Sequence, residues 1–103
     1  MITVSVHQAT QSFPASEMYG LSSQLRRAAV SVASNIAEGR GRLNEREFRQ
    51  LLGVAQGSNC EVQTQILVAK SLGIGNTESL VKAEHLSIKV AKMLSSFIAT
   101  IES

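Results

Sequence analysis

Between Phe48 and Ala69 the chain keeps a strict seam. Phe48, Leu52, Ala55, Asn59, Val62, Ile66 and Ala69 alternate steps of four and three, the spacing that holds one helical face against neighbouring helices. A strand repeats every two residues and cannot carry this pattern. The start is marked by Asn44-Glu45-Arg46-Glu47, a capping-box-like run with asparagine in place of Ser or Thr. The end is marked by Gly73-Ile74-Gly75-Asn76. A helix from Asn44 to about Leu72 would be roughly 40 Å long at 1.5 Å per residue. Such a helix needs partners of similar length.

The flanking segments supply them. A second helix is expected from Glu17 or Leu21 to Glu38, with Leu21, Leu25, Ala28, Val32 and Ile36 on one stripe. Gly39 and Gly41 are expected to end it in the left-handed conformation that glycine accepts. A fourth helix is expected from about Thr77 to Ile101, with Leu80, Ala83, Leu86, Val90, Met93 or Leu94, Phe97 and Ile101 inward. The only proline, Pro14, marks a turn after a first element spanning Ile2 to Ser12. There Ile2, Val4 and Val6 alternate as a strand would, against a short first helix. Connections this short favour antiparallel neighbours. The expected architecture is all-α, an antiparallel up-and-down four-helix bundle with a short first helix, in one domain over residues 1–103. With Phe13, Tyr19, Phe48 and Phe97 the only aromatics, the core must be aliphatic.

Apolar residues at 44% and charged residues at 17% suit a packed protein rather than a disordered one. A chain of 103 residues buries only about 60–70% of its unfolded surface, so association with copies of itself is a natural supplement. The single cysteine, Cys60, rules out an internal disulfide and suits a reducing compartment. The N-terminal run lacks a basic start and an apolar stretch of signal length. No segment approaches the roughly 20 apolar residues that cross a bilayer. A cytoplasmic protein with no membrane contact is expected.

On helix two, Val30, Ala33 and Ala37 lie almost opposite the main stripe, and on helix three Gly53, Gly57 and Cys60 do the same, with Thr64 and Ser71. A solvated face normally carries charge. Small residues on two successive helices therefore read as a subunit interface, the alternative being simple exterior filling. A polar set flanks the stripes: Gln24, Arg27, Ser31, Asn35 and Glu38 on helix two, Ser58, Glu61 and Gln65 on helix three. It reads as an internal network that sets helix register, since buried charges persist only when paired. The other reading is a polar site for a ligand or nucleic acid.

Positive charge is placed rather than spread. Six arginines fall between Arg26 and Arg49 against Glu38, Glu45 and Glu47, in a chain whose net charge is only +2. Arg26, Arg40, Arg42, Arg46 and Arg49 are expected to be available for contact with a partner. The guanidinium fork suits phosphate, and phosphate contacts bring affinity without sequence choice. A salt-bridged surface is the alternative for a single protomer. Nothing catalytic is visible. His7 and His85 lack any HxxxH or HExxH partner, so no metal is expected. Gly73-Ile74-Gly75 lacks the third glycine of a dinucleotide loop, and no Walker-type lysine follows any glycine run. A non-enzyme without cofactor is expected.

The run Phe13-Pro14, Glu17, Tyr19-Gly20-Leu21, Gln24-Leu25-Arg26-Arg27-Ala28-Ala29-Val30-Ser31, Asn35-Ile36-Ala37-Glu38-Gly39, Arg42, Glu47-Phe48, Gly57-Ser58 and Glu61 resembles the bacterial four-helix-bundle family encoded by intervening sequences in 23S ribosomal RNA genes. Related to that family are the accessory variability determinants of diversity-generating retroelements. The resemblance covers about half the chain, and the Leu72-Gly73 turn agrees with it. It implies a homopentameric ring with a basic surface and binding to RNA or DNA. For the retroelement relatives it implies work beside a reverse transcriptase. It points to Arg26 and Arg27 as a helix-two arginine pair, and to Asn35 and Glu38 as the polar part of the Asn-Ile-Ala-Glu-Gly signature. One departure stands out: members usually have a longer first helix before the Phe-Pro turn, often opening on Trp-Gln, and here twelve residues precede Phe13. The functional expectation is a homo-oligomeric nucleic-acid-binding bundle. The alternative is an interaction scaffold or accessory subunit that docks a nucleoprotein partner.

Overall fold

The computed structural model describes residues 1–17 and 20–102, so Tyr19 of the Tyr19-Gly20-Leu21 run lies outside the described residues. The elements are α1 (Ile2–Thr10), a 3-10 turn at Ala15–Glu17, α2 (Leu21–Arg40), α3 (Glu45–Leu72) and α4 (Thr77–Glu102). Each helix packs on its neighbour in chain order, and α1 closes against α4. The result is a four-helix bundle measuring 43 × 21 × 18 Å.

The strand-like alternation at the start does not prevail. Ile2, Val6 and Ala9 turn inward at helical spacing, while Val4 is exposed. Burying that stripe favours the helix over the local preference of β-branched residues for strands. Thr10 Oγ1 donates to the Val6 carbonyl at 2.9 Å, so its hydroxyl is satisfied inside the packed end.

The end of α2 also differs from the expectation. Neither Gly39 nor Gly41 is left-handed: α2 runs through Gly39 to Arg40, and Gly41 sits at φ −82°. Gly39 is needed for space instead. A Cβ there would fall 2.8 Å from Phe48 Cδ1, so glycine lets the Phe48 ring lie against the α2 backbone. The glycines with positive φ are Gly73 at 68° and Gly75 at 83°, both in the turn between α3 and α4. There the Ile74 amide donates to the Ala69 carbonyl at 2.9 Å, a link of the kind that closes a helix on a left-handed glycine. Asn44 caps α3 by accepting from the Glu47 amide at 2.8 Å. Asn76 caps α4 by accepting from the Ser79 amide at 2.9 Å.

The core has two unequal parts. At one end four helices meet, with Val6, Ala9 and Phe13 against Leu25, Ala28, Ile66, Leu80 and Ala83. At the other end the buried residues are Leu52, Ala55 and Leu94, with Ile36, Phe48, Val90, Ile98 and Ile101 half-covered around them. The difference follows from length: α1 has 9 residues and α3 has 28, about 13 Å against about 42 Å.

Between these halves lies a fully buried polar pair. Asn59 Nδ2 donates to the Ser87 carbonyl at 2.9 Å, and Ser87 Oγ donates to Asn59 Oδ1 at 2.8 Å. Asn59 was expected on the apolar seam, and its amide sets the register of α3 against α4, as polar seam residues do in coiled coils. Replacing Asn59 by Ala strands the Ser87 hydroxyl and leaves a void. The expected loss is about 2–3 kcal/mol, a fall in melting temperature of roughly 10 °C or more for a chain of this size, readable by thermal denaturation. A shift under about 2 °C would remove the pair from the determinants of the fold.

Candidate functional site

Four of the five proposed nucleic-acid-binding arginines gather at one end of the bundle. Arg40 closes α2, Arg42 follows in the loop, and Arg46 and Arg49 stand on the first turns of α3, all exposed. The α3 N-terminus adds a partial positive charge of its own. A cavity of about 340 Å³ opens there, bordered by Arg40, Arg42, Asn44, Glu45, Phe48 and Phe97. Arg42 Nη2 pairs with Glu38 Oε1 at 2.7 Å. That pair is about half exposed on both sides, so it holds Arg42 weakly.

Arg26 stands apart. It lies fourteen positions before Arg40 on α2, about 21 Å along the helix. Its Nε donates to Thr10 Oγ1 at 2.6 Å, and this half-buried side chain ties α2 to α1. Counting it among the available cations missed that partner, which is distant in sequence.

The polar set assigned to an internal network lines the α2–α3 seam, from buried Gln65 outward to the surface. Ser31 Oγ and Ser58 Oγ are 2.8 Å apart, and Asn35 Nδ2 donates to the Ser31 carbonyl at 2.8 Å. Gln65 Nε2 donates to Gln24 Oε1 at 3.3 Å and to Glu61 Oε1 at 3.2 Å. Gln24, Arg27, Ser31, Ser58 and Glu61 border one open cavity of about 370 Å³. Ser31, Asn35 and Ser58 are half-buried, whereas Gln24, Arg27, Glu38 and Glu61 are exposed. Glu38 leaves the group for Arg42. The buried register pair, Asn59 with Ser87, was missed. Its signal was the asparagine on an otherwise apolar seam.

The small residues do not form one patch. On α2, Ser31 and Asn35 mark the flank toward α3, and Arg26 marks the flank toward α1. Val30, Ala33 and Ala37 follow Arg26 by four, seven and eleven positions, so they belong to the α1 flank. On α3, Gly53, Gly57 and Cys60 are exposed on the side opposite the core. Nothing lies within 4 Å of a Cβ built on either glycine. The thiol of Cys60 is thus exposed in the protomer. The same side carries Val54, Leu67 and Val68, each more than 40% exposed. Glu61 is the only charged residue between Gln50 and Ala69. An exposed helical face this long and this poor in charge is unusual for a lone protomer.

Among the described residues no group of three or more His, Cys, Asp or Glu side chains could hold a metal ion. None of their helices is long and apolar enough to cross a membrane.

A crystal structure of a protein of unknown function from the S23 ribosomal protein family of Bacteroides thetaiotaomicron superposes with a TM-score of 0.76. It is 21% identical, and the match covers 93% of this chain and 87% of that one. The likeness bears on the fold. No curated protein is similar enough to count as a match. Residues 1–96 match the family described as 23S rRNA-intervening sequence protein. With that match over nearly the whole bundle, the chain belongs to the 23S rRNA-intervening sequence protein family.

Proposed function

We propose that this protein is a non-enzymatic, homo-oligomeric bundle, a pentameric ring, that binds RNA or DNA through Arg40, Arg42, Arg46 and Arg49. The observation that carries the reading is the placement of these four arginines at one end of a bundle whose α3 face is exposed and nearly free of charge. In a ring, packing the α3 face of each copy at Gly53, Gly57 and Cys60 against a different face of the next copy would cover the apolar side chains beside those residues. It would also repeat the arginine cluster around the assembly, and repeated cations attract a polyanion more strongly than a single cluster does. Arg26, bonded to Thr10, supports the fold rather than the contact.

The interleaved Glu38, Glu45 and Glu47 favour a second reading. In it the protein is an accessory subunit, as beside a reverse transcriptase, and the mixed-charge end docks a nucleoprotein partner while free nucleic acid binds poorly. Binding to labelled RNA and duplex DNA across a salt series, with the mass of the same sample in solution, separates the two. Steeply salt-dependent binding by an oligomer, with little sequence preference, is the expected result. An oligomer that binds neither nucleic acid at low salt would overturn the first reading and favour the second.

A further inference from the structure

The cavity on the α2–α3 seam brings together two opposite charges that nothing in the protomer pairs. Gln65 bonds to Gln24, and Ser58 lies against Ser31. Seven positions forward along α2 thus match seven positions back along α3, so the two helices run antiparallel and in register here. Arg27 and Glu61 fall between these contacts on facing helices. Both are exposed, and both border the cavity of about 370 Å³. Among the described residues Arg27 has no hydrogen bond or ion pair, and Glu61 has no cationic partner. The two charges stand across the cavity rather than on each other.

The wall beneath them is held by one buried amide. Gln65 is 7% exposed. Its Nε2 donates to Glu61 Oε1 at 3.2 Å and to Gln24 Oε1 at 3.3 Å, while its Oε1 is buried without a partner. An orphaned buried acceptor lowers stability, and an apolar side chain at this position would not carry that cost. What the amide supplies is orientation. It fixes one oxygen of Glu61 and the carbonyl of Gln24, which leaves the second Glu61 oxygen and the Gln24 amino group without protein partners. Ala28, 4% exposed, gives the cavity an apolar patch.

The chemistry of this wall selects among ligands. A phosphate or a simple carboxylate would suit Arg27 and be repelled by Glu61. A simple amine would suit Glu61 and be repelled by Arg27. A neutral molecule would cover both charges and pair neither. A molecule with both signs answers both, and the cavity volume lies in the range of small-molecule sites. We infer that this cavity binds a small zwitterion, a free α-amino acid, with its carboxylate on the Arg27 guanidinium and its ammonium on Glu61. The guanidinium fork takes the carboxylate through two parallel hydrogen bonds. Gln65 acts as a positioning residue, because it holds Glu61 and Gln24 without bordering the cavity itself.

The test is calorimetric titration of the intact protein with the common L-amino acids, one at a time. At least one is expected to bind with a dissociation constant below about 1 mM. Its N-acetyl derivative lacks the ammonium, and its α-amide lacks the carboxylate. Each should bind at least about tenfold more weakly, since each leaves one charge of the site unpaired. Arg27→Gln should weaken the amino acid by about tenfold and erase its advantage over the amide. Glu61→Gln should weaken it likewise and erase its advantage over the N-acetyl form. Both positions are exposed, and unaltered helicity by circular dichroism identifies folded variants. Binding of none of the amino acids overturns the inference, as does equal binding of either derivative or binding indifferent to both substitutions. A lower mass in solution for either variant would overturn it too, because the charges would then meet a neighbouring copy. None of these outcomes depends on whether the arginine end binds nucleic acid.

Discussion

Gly75→Ala is expected to lower the stability of the bundle by about 3 kcal/mol or more, the largest loss from adding one methyl group in this chain. Two costs combine. The backbone at Gly75 has φ 83°, where an L side chain costs about 1–2 kcal/mol. The added Cβ would lie 2.6 Å from Phe13 Cε1 and 2.8 Å from Phe13 Cδ1. Phe13 is 9% exposed, and its ring leads the chain from α1 into the loop before α2. Moving it loosens the end where four helices meet. Gly73→Ala is the control, because φ is 68° there with nothing within 4 Å of the new methyl. It should cost only the backbone share, about 1 kcal/mol. Urea or thermal denaturation of both variants reads the difference. At this chain length each kcal/mol moves the melting temperature by about 4–8 °C. Equal losses for the two variants would show that Phe13 yields freely and that contact with Gly75 is unimportant.

These glycines also mark how far the bundle is legible in sequence. For α2, α3 and α4, helix type and extent followed from periodicity, because seams such as Leu52, Ala55, Asn59, Val62, Ile66 and Ala69 record burial directly. The Gly73-to-Asn76 turn was visible for the same local reason. At Gly39 the local rule pointed the wrong way. A glycine near the end of a helical stripe suggests a left-handed cap, yet here it answers to Phe48, nine positions on. Close approach between helices leaves no periodic trace. Arg26 is a similar case: as a string it belongs to an arginine cluster, and in space its partner is Thr10. The polar flank of α2 was recognised from its spacing, but spacing cannot tell a buried network from a surface seam. The side on which each small residue falls is also decided by neighbours. Ala33 and Ala37 face the α1 corner, while Gly53 and Gly57 face outward on α3.

Replacing Arg40, Arg42, Arg46 and Arg49 together by glutamine is expected to lower nucleic-acid affinity by roughly a thousandfold at about 0.1 M salt. The logarithmic salt slope should also fall by up to about four. Each arginine that meets a phosphate releases about one counterion, so the loss in slope counts contacts, and a loss in affinity without it would not. The fold should tolerate the change. All four side chains are exposed, and the Arg42 pair with Glu38 is half in solvent, worth about 1 kcal/mol at most. Arg46 and Arg49 stand at the start of α3, where cations oppose the helix dipole, so removing them relieves as much as the loss of Arg40 at the end of α2 costs. Assembly should persist, because the α3 face around Gly57 is untouched. Glu38→Gln provides the reverse arm. It frees Arg42 and removes a negative charge, so affinity should rise and the slope should steepen. Binding unchanged in the arginine variant would remove this end from contact with nucleic acid. A loss of affinity with Arg26→Gln alone, at unchanged stability, would move the contact to the middle of α2.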